Sequence, residues 1–508
     1  SGLPILNLTR GYIMAKKSYL AVDMGASSGR LLIGHFDGER VELEEVHRYM
    51  NGPVEMSGSY YWNLLGLWSE VRNGLRLSGE KFGATVESVG VDTWGVDYAY
   101  LDKNGKLLGN PYCYRDPRTD GVMEKSFETV PREEIFAESG LQFMQINTLY
   151  QLIADKLSGS VAQANAERFM MIPDIFHWLL SGEISNEFTD ATTTQCFDPV
   201  KQDWAKGLLE KFGIPTHIFK PVTQPGTVLG NLRTALAEDS GLKGMKVVLP
   251  GSHDTASAVM AVPTASPVGS TDWAYVSLGT WALMGIESPK PVVNDVVSGF
   301  NFTNEGGVGG TTRILKNICG MWLLQECRRV WNQKGRNLDW EDMDAMTCKA
   351  PALTGFIDPD HRDFLAPTDM PEAIRRFMER TGQPVPQDDG TVLRAALESI
   401  AMKFRQVLGM CEKISGGKIE TLHIVGGGIR NKLLCQAAAD ATGCHVVTGP
   451  IEATAIGNVM MQAVASGDVS GISEARAVIR NSFEVTEYQP RETAAWDDAY
   501  VRFEKIVG

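Results

Sequence analysis

The stretch Tyr19-Leu-Ala-Val-Asp23-Met-Gly25-Ala-Ser-Ser-Gly29-Arg30-Leu-Leu-Ile-Gly34 decides the fold, because a similar layout returns half a chain later. The second copy reads Trp273-Ala-Tyr-Val-Ser277-Leu-Gly279-Thr280-Trp-Ala-Leu-Met-Gly285. Each copy is an apolar strand, a tight turn of small hydroxyl-bearing residues, and a second apolar strand. Backbone N–H groups at a Gly-rich turn are free to converge on an anion. Two such turns on two related domains could hold the two ends of a triphosphate between them.

Length and charge limit what the chain can be. Its 508 residues exceed one ordinary core, since a prior of roughly 150 residues per domain allows about three domains, or two large α/β domains. The net charge of −14 argues against nucleic acid or an anionic membrane as a partner. No segment approaches the roughly 18 consecutive apolar residues of a membrane span. The start, from Ser1 to Met14, has neither a basic region nor a long apolar run, so we expect no signal peptide there.

The eight cysteines contain no Cys-x-x-Cys pair, and several lie in apolar helical patterns. We therefore expect neither a disulfide framework nor a zinc site, and the composition fits a reducing cytoplasm. The sequence leaves the oligomeric state open between a monomer and a small homo-oligomer.

Periodicity predicts the same scheme in both halves. In the first half it predicts a three-stranded meander, a helix, a further strand and hairpin, a largely helical stretch, and a buried strand that leads into a helix. The meander strands are predicted at residues 18–24, 30–37 and 40–48, the helix at 64–79 and the further strand at 88–92, before a hairpin closed by Asn104-Gly105. The helical stretch is predicted at 132–180, a loop at 221–230, the buried strand at 246–249 and the helix after it at 255–262. The second half begins with a hairpin at 273–287 and ends with an Ala/Met-rich helix and an amphipathic tail at 491–507. Between them, helices are predicted at 320–331, 390–414 and 430–441, and strands at 421–425 and 445–447.

The stretch 263–271, rich in Pro, Ser and Gly, is the best candidate for a domain boundary. We therefore predict two α/β domains of like topology, residues 15–262 and 263–508, with a cleft between them.

The first turn carries groups suited to phosphate. Ser27 and Ser28 can donate hydrogen bonds, Gly29 can supply a positive φ, and Arg30 can add charge. Asp23, at the strand end, could hold Mg²⁺ through water. A plain hairpin turn explains this stretch equally well. The same letters spell the Gly-x-Ser-x-Gly elbow of hydrolases, but that elbow must be followed by a helix, whereas a strand is predicted here.

Asp254 is the sharpest single candidate. It lies in Pro250-Gly-Ser-His-Asp-Thr-Ala-Ser257, where a buried strand ends and a helix begins. Ligands of open α/β sheets bind at such strand ends. The alternative is structural, because Asp is a favoured helix N-cap. His253 beside Asp254, flanked by small polar residues, is harder to explain by capping alone.

Three further stretches carry groups suited to binding a ligand. Val91-Asp-Thr-Trp-Gly-Val-Asp-Tyr98 places an aromatic residue beside carboxylates, as sugar sites do, and Tyr114-Arg-Asp-Pro-Arg-Thr119 adds polar groups. Gly426-Gly-Gly428 enters a helix and is suited to an anion or nucleotide. It lacks the spacing of the dinucleotide fingerprint, and the chain has no Gly-x-x-x-x-Gly-Lys-Ser/Thr, which excludes a P-loop kinase.

Taken in order, these stretches resemble the FGGY family of carbohydrate kinases from about Tyr19 to Gly471. The runs that carry the resemblance are Val22–Arg30, Asp92–Asp97, Asn147–Gln151, Ala191–Gln195, Ser252–Ala258, Thr303–Gly307, Leu315–Ile318, Trp322–Gln325 and His423–Gly428. The runs Ala-Ser-Ser-Gly-Arg and Ser-His-Asp-Thr resemble most closely the branch that phosphorylates L-rhamnulose. The resemblance implies two actin-like, ribonuclease H-like domains with an active site in the cleft between them.

The resemblance also implies roles for single residues. Asp254 would be the catalytic base, with ATP and Mg²⁺ as cosubstrate and metal and L-rhamnulose 1-phosphate as product. The residues implied to contact ATP are Ala26, Ser27, Ser28, Gly29, Arg30, Thr280, Gln325 and Gly427. Those implied to contact the ketose are Gly95, His253, Asp254, Thr255 and Asn317.

Two alternatives remain open at the level of sequence. Another FGGY ketose or polyol kinase, of the xylulose or fuculose type, would share the phosphate chemistry and differ only in the sugar pocket. An actin-like ATPase acting on protein would share the paired hairpins, but the polar pocket around Trp94 and His253 argues against it.

Overall fold

The computed structural model describes residues 16–507. The expectation for Ser1 to Met14, and the first residue of the predicted N-terminal domain, lie outside the described residues. Within residues 16–507, no helix is both long enough and apolar enough to cross a membrane.

The N-terminal half is built on a six-stranded sheet in the order β13-β14-β6-β1-β2-β3. Strands β1 to β3 form an antiparallel meander, and β6 and β14 extend it in parallel. The strands of this half are β1 Lys17–Met24, β2 Ser28–Phe36, β3 Val41–Met50, β4 Pro53–Met56, β5 Ser59–Trp62, β6 Val86–Thr93, β7 Tyr98–Leu101, β8 Arg168–Met171, β9 Asn186–Glu187, β10 Phe197–Asp198, β11 Asp203–Trp204, β12 Val222–Thr223, β13 Val228–Asn231 and β14 Lys246–Val248. Its helices are α1 Leu64–Phe82, α2 Val122–Ser126, α3 Arg132–Ser139, α4 Thr148–Ser158, α5 Val161–Ala164, α6 Ile172–Ser181, α7 Phe188–Ala191, α8 Lys206–Lys211, α9 Thr234–Ser240 and α10 Asp254–Met260.

The C-terminal half has a seven-stranded sheet in the order β17-β18-β16-β15-β19-β20-β21. Its strands are β15 Trp273–Leu278, β16 Trp281–Ser288, β17 Thr303–Gly306, β18 Thr312–Cys319, β19 Thr421–Val425, β20 His445–Thr448 and β21 Thr486–Tyr488. Its helices are α11 Asp295–Gly299, α12 Trp322–Gln333, α13 Trp340–Lys349, α14 Met370–Arg380, α15 Asp389–Ser415, α16 Lys432–Thr442, α17 Ala453–Ala465, α18 Ile472–Ser482 and α19 Thr493–Val507.

The two sheets share one plan. In each, the first three long strands form an antiparallel meander, and two further strands join the first strand's free edge in parallel, as β3-β2-β1-β6-β14 and β18-β16-β15-β19-β20. Both apolar hairpins of the sequence, β1–β2 and β15–β16, form as predicted. The predicted architecture of two α/β domains of like topology is confirmed.

The halves meet through the helices that follow the last parallel strands, α10 and α17. Gly457 of α17 lies so close to α10 that a Cβ there would be 1.9 Å from the carbonyl oxygen of Ser257. Helix α17 also reaches the N-terminal sheet, where Gln462 donates to the carbonyl of Leu20 at 3.0 Å and Asn458 donates to Asp92 at 2.6 Å. These contacts fix α10, β1 and β6 against the C-terminal half.

Some predicted elements differ. The hairpin closed by Asn104-Gly105 forms as a short one, with Gly105 at φ +70 and an antiparallel bridge between Leu101 and Leu107, but β7 also pairs with β8, which was not expected. Strand β8 lies inside the stretch predicted as helical. A short apolar run cannot be assigned to helix or strand from periodicity alone, and its sheet partner decides. The predicted loop 221–230 contains the short strands β12 and β13.

Candidate active site

A cavity of about 1220 Å³ lies between the two halves and is lined by residues of both. Both hairpin turns, the start of α10 and the Gly426-Gly427-Gly428 loop contribute to its wall. Of the residues named singly as contacts of ATP, Mg²⁺ or the ketose, the cavity brings together all but one: Asp23, Ala26, Ser27, Ser28, Arg30, Gly95, His253, Asp254, Thr255, Thr280, Asn317, Gln325 and Gly427. Gly29 is the exception.

The β1–β2 turn is held in shape by its own backbone and by Asn51. The amide of Gly25 donates to the carbonyl of Ser28 at 2.9 Å, and the amide of Asn51 donates to the carbonyl of Ser27 at 3.1 Å. The Asn51 side chain donates to the carbonyl of Gly25 at 2.8 Å. Sequence reasoning missed Asn51, which comes from the loop after β3. The bracing presents Ala26 and Ser27 to the cavity.

Gly29 serves packing, not a turn conformation. It lies in β2, opposite Met24 and Tyr49, and its φ is not positive. The expectation of a positive φ is therefore wrong. A Cβ at Gly29 would be 2.3 Å from Cζ of the Tyr49 ring, so only glycine fits against that buried side chain.

We expect Gly29→Val to weaken ATP binding sharply, because the added side chain must displace Tyr49 and shift the adjoining turn. Calorimetric titration with ATP measures this effect. Gly207→Ala is the control, since a Cβ there meets nothing within 4 Å and the site is in α8, away from the cavity. Unchanged ATP affinity in Gly29→Val would show that the first turn has only a structural role.

Arg30 joins the two halves at the cavity wall. Its guanidinium donates to Asp23 at 2.7 Å and to Glu452 of the C-terminal half. Burial raises the pKa of Asp23, the Arg30 charge opposes that rise, and the charges of Asp254 and Glu452 add to it. Sequence reasoning missed Glu452; its only signal was its place after Gly449-Pro450, between a predicted strand and a predicted helix.

The second turn and the glycine loop form the opposite wall. The amide of Trp322 donates to the carbonyl of Thr280 at 3.1 Å, which connects the turn to the start of α12, where Gln325 lies. Gly428 packs against Leu278, since a Cβ there would be 2.3 Å from the Leu278 side chain. A Cβ at Gly427, by contrast, would meet nothing within 4 Å. Gly427 therefore leaves its backbone open to the cavity.

Asp254 is the first residue of α10, and the N-cap position belongs to His253. The Asp254 side chain is about one-third exposed, at 34%, and accepts a hydrogen bond from Thr255 Oγ1 at 3.1 Å. The capping interpretation does not hold, because no side chain caps this helix. A carboxylate in the first turn is stabilised by the positive end of the helix dipole, and here it faces the cavity.

His253 is fixed at its backbone and at its ring. Its amide donates to Thr189 Oγ1 at 3.1 Å, and its Nε2 lies 3.4 Å from Oδ1 of Asp254. The other ring nitrogen faces Glu305 and Arg313 of the C-terminal half. Burial alone would raise the pKa of Glu305, but Arg313 and His253 hold it below its ordinary value. Neither Glu305 nor Arg313 was singled out in the sequence.

The stretch 91–98 contributes backbone and aromatic surface, not free carboxylates. Trp94, Gly95 and Val96 line the cavity, whereas Asp92 and Asp97 are completely buried. Asp97 accepts hydrogen bonds from the indole nitrogens of Trp62 at 2.6 Å and Trp94 at 3.0 Å. Burial raises its pKa to about 6. The expectation that these carboxylates belong to a sugar site is not met, because neither lines the cavity: Asp97 holds the two indoles in place, and Asp92 accepts a hydrogen bond from Asn458.

The other side of this region comes from β18 and two loops. Gln142 Oε1 accepts two hydrogen bonds from Asn317, one from the backbone N–H at 3.0 Å and one from the side-chain Nδ2 at 3.1 Å. Tyr114 and Arg115 line the cavity, and the Arg115 guanidinium lies 5.0 Å from the centre of the Trp322 ring. The cavity thus has an aromatic and polar end near Trp94 and Asn317 and a glycine-rich end near Gly427.

Known proteins match nearly the whole chain. Residues 18–261 match the N-terminal domain of the FGGY family of carbohydrate kinases, and residues 274–466 match its C-terminal domain. The chain is 40% identical over 492 residues to a rhamnulokinase from Bacteroides thetaiotaomicron, covering 97% of this chain and 100% of the relative. A rhamnulokinase from Halalkalibacterium halodurans is 40% identical over 469 residues, 92% of this chain and 98% of the relative.

Solved structures agree on the fold. A ligand-bound xylulose kinase from Lactobacillus acidophilus superposes with a TM-score of 0.80 at 15% identity, covering 96% of this chain and 97% of that one. A glycerol kinase from Plasmodium falciparum with ADP gives 0.74 at 15% identity, with 96% and 98% covered. With both halves matched in order and relatives at this identity over nearly full length, the chain belongs to the FGGY family of carbohydrate kinases.

Proposed function

We propose that this enzyme transfers the γ-phosphoryl group of ATP to the 1-hydroxyl of L-rhamnulose. The observation that carries the proposal is the place of Asp254, a partly exposed carboxylate at the start of α10 in a cavity that both hairpin turns line. The specific sugar is supported by the Ala-Ser-Ser-Gly-Arg and Ser-His-Asp-Thr runs and by the printed names of the relatives.

The two ends of the cavity divide the work. We assign the ketose to the end formed by Gly95, His253, Thr255 and Asn317, where an indole and amide groups line the same cavity as Asp254. We assign ATP to the end formed by the two turns and the glycine loop: Ala26, Ser27, Ser28, Arg30, Thr280, Gln325 and Gly427. Gly29 acts there through the packing of the first turn. In this division residues 15–262 supply the base and most of the sugar site, and residues 263–508 supply Thr280, Gln325 and Gly427 of the nucleotide site, while Asn317 and the first turn each reach the end of the cavity formed mainly by the other half.

Asp254 has the role of the general base. A sugar hydroxyl is a poor nucleophile, so its proton passes to the carboxylate while the bond from O1 to the γ-phosphorus forms. The bond between that phosphorus and the β–γ bridging oxygen breaks in line, and ADP leaves. Backbone N–H groups at the two turns spread the charge that develops on the phosphoryl oxygens.

The residues present fit a divalent cation that arrives with the nucleotide. Asp23 faces the cavity, and its raised pKa reflects burial and the nearby charges of Asp254 and Glu452. In residues 16–507 no three His, Cys, Asp or Glu side chains are grouped to hold a metal by themselves. Mg²⁺ is commonly held by one or two carboxylates together with substrate phosphates. When bound, it would neutralise phosphate charge, with Asp23 as its protein contact.

The proposed reaction and the state of the cysteines support a cellular location and a set of partners for the enzyme. We place it in the cytoplasm, because ATP is made available there and all eight cysteines are free, seven of them buried. We propose the ketose and ATP as its partners, with no nucleic acid or membrane, and a monomer or small homo-oligomer as its form.

ADP release across a panel of ketoses and polyols tests the proposed substrate. We expect L-rhamnulose to be turned over fastest, with xylulose, fuculose and glycerol slower. If xylulose or glycerol is turned over far faster, the sugar assignment fails and a kinase of the xylulose or polyol type replaces it. The chain's membership of a carbohydrate kinase family leaves no support for an actin-like ATPase that acts on protein.

A further inference from the structure

A buried ion pair of the C-terminal half lies against the proposed sugar site of the N-terminal half. Glu305 of β17 and Arg313 of β18 are directly paired in the antiparallel ladder. Nη1 of Arg313 is 3.1 Å from Oε2 of Glu305. Arg313 is completely buried and Glu305 is 5% exposed. Removing two charges from water is costly, and such pairs are weak sources of net stability. The Glu305–Arg313 pair is therefore better explained by what it positions than by the stability it adds.

Both partners reach the same ring nitrogen of His253. Nη2 of Arg313 donates to Nδ1 of His253 at 3.1 Å, and Oε2 of Glu305, which holds Arg313 in the ion pair, lies 3.2 Å from the same nitrogen without a hydrogen bond to it. Arg313 is itself fixed, because its Nε donates to the carbonyl of Gly306 at 2.9 Å. The imidazole is thus held at Nδ1, and its Nε2 is left towards Asp254, 3.4 Å away.

The backbone on either side of this imidazole has separate supports. Glu187 accepts from the amide of Ser252 at 3.2 Å and from Thr189 Oγ1 at 2.7 Å, and Thr189 in turn accepts from the amide of His253. With the backbone fixed in this way, the rotation of the ring is what the Glu305–Arg313 pair controls.

We propose that Glu305 and Arg313 are positioning residues that set the orientation of His253 beside the base. The inference rests on the proposed function, in which His253 contacts the ketose. It goes beyond it by assigning two further residues of the C-terminal half to the sugar site. Neither residue needs to touch the reacting atoms, because each acts through the imidazole.

Glu305→Gln tests the proposal, since it keeps the shape and removes the charge. We expect kcat to fall between about 10-fold and 100-fold, as for a reacting group displaced by about 1 Å, with the KM for ATP unchanged. Glu287→Gln is the matched control: Glu287 also pairs with a buried arginine, Arg476, at 2.7 Å, with both side chains 1% exposed and neither at the cavity. It should lower the melting temperature and leave kcat unchanged.

A double-mutant cycle separates positioning from general support of the fold. If Glu305 acts through His253, then His253→Gln combined with Glu305→Gln is no slower than His253→Gln alone. Multiplying effects on kcat, or wild-type kcat in Glu305→Gln, would overturn the proposal. Should Glu305→Gln fail to fold, Arg313→Lys keeps the charge but not the fork of nitrogens, and the same cycle with His253→Gln applies.

The cycle is measured with whichever sugar the wild-type enzyme phosphorylates fastest. A wrong sugar assignment would appear in the wild-type panel and leave the cycle intact, so the two failures are distinguishable.

Discussion

Asp254→Asn is expected to lower kcat by about 10²- to 10⁴-fold, the usual range for loss of a general base. Asparagine keeps the shape of the side chain and its place at the start of α10, so ketose and ATP should still bind. The loss arises because an amide cannot take the proton of the attacking hydroxyl. Steady-state kinetics, with affinities measured separately by calorimetry, tests this result.

Asp295→Asn supplies the control. Asp295 is likewise the first residue of a helix, α11, but it is exposed and lies away from the cavity. Both variants lose one favourable charge at a helix N-terminus, which is worth about 0.3–1 kcal/mol of stability. The melting temperatures should therefore shift alike while only Asp254→Asn loses turnover. Near-normal turnover in Asp254→Asn would leave the base unassigned.

Gly457→Ala is expected to destabilise the protein by about 1–3 kcal/mol, the usual cost of overpacking a core. A Cβ at Gly457 would be 1.9 Å from the Ser257 carbonyl, and two helix backbones must move apart to admit it. Since Ser257 lies in α10, that movement also displaces Asp254, and kcat should fall together with the free energy of unfolding. Urea denaturation and kinetics on one preparation measure both.

Gly409→Ala is the matched control for this substitution. Gly409 lies inside α15, and a Cβ there would meet nothing within 4 Å. Replacing glycine by alanine at an open helical position stabilises by roughly 0.5–1 kcal/mol, so the two variants should shift stability in opposite directions. Equal stability of Gly457→Ala and the wild type would contradict the close crossing of α10 and α17.

The sequence predicted those features that local patterns determine. Strand 421–425 and helix α15 have the expected bounds to within about one residue. A short strand-like run before a glycine loop, and a long stretch with an apolar period of 3.6 residues, each favour one assignment. The place of Asp254 between a buried strand and a helix was predictable, because it follows an apolar run and lies among small polar residues. Only the structure shows that Asp254 is the first residue of α10 and that His253 occupies the N-cap position.

Contacts between distant segments were beyond sequence reasoning. Arg30 meets Glu452, and His253 meets Glu305 and Arg313, only because two sheets fold against each other. Gly29 shows the same limit: glycine is required there by the Tyr49 ring on the neighbouring strand, not by the positive φ that the sequence suggested. Strand β8 was missed because its partner, β7, lies some 70 residues earlier in the chain.

The most direct measurement of the central claim is the ³¹P NMR spectrum of wild-type enzyme with ATP and L-rhamnulose. A 6-deoxy-ketose has its only primary hydroxyl at C1, so phosphate transferred there couples to two methylene protons. We expect a new phosphomonoester signal with that coupling, growing in step with ADP, and no such signal with Asp254→Asn over the same period. Inorganic phosphate as the only product, or a phosphomonoester coupled to a single proton, would contradict it.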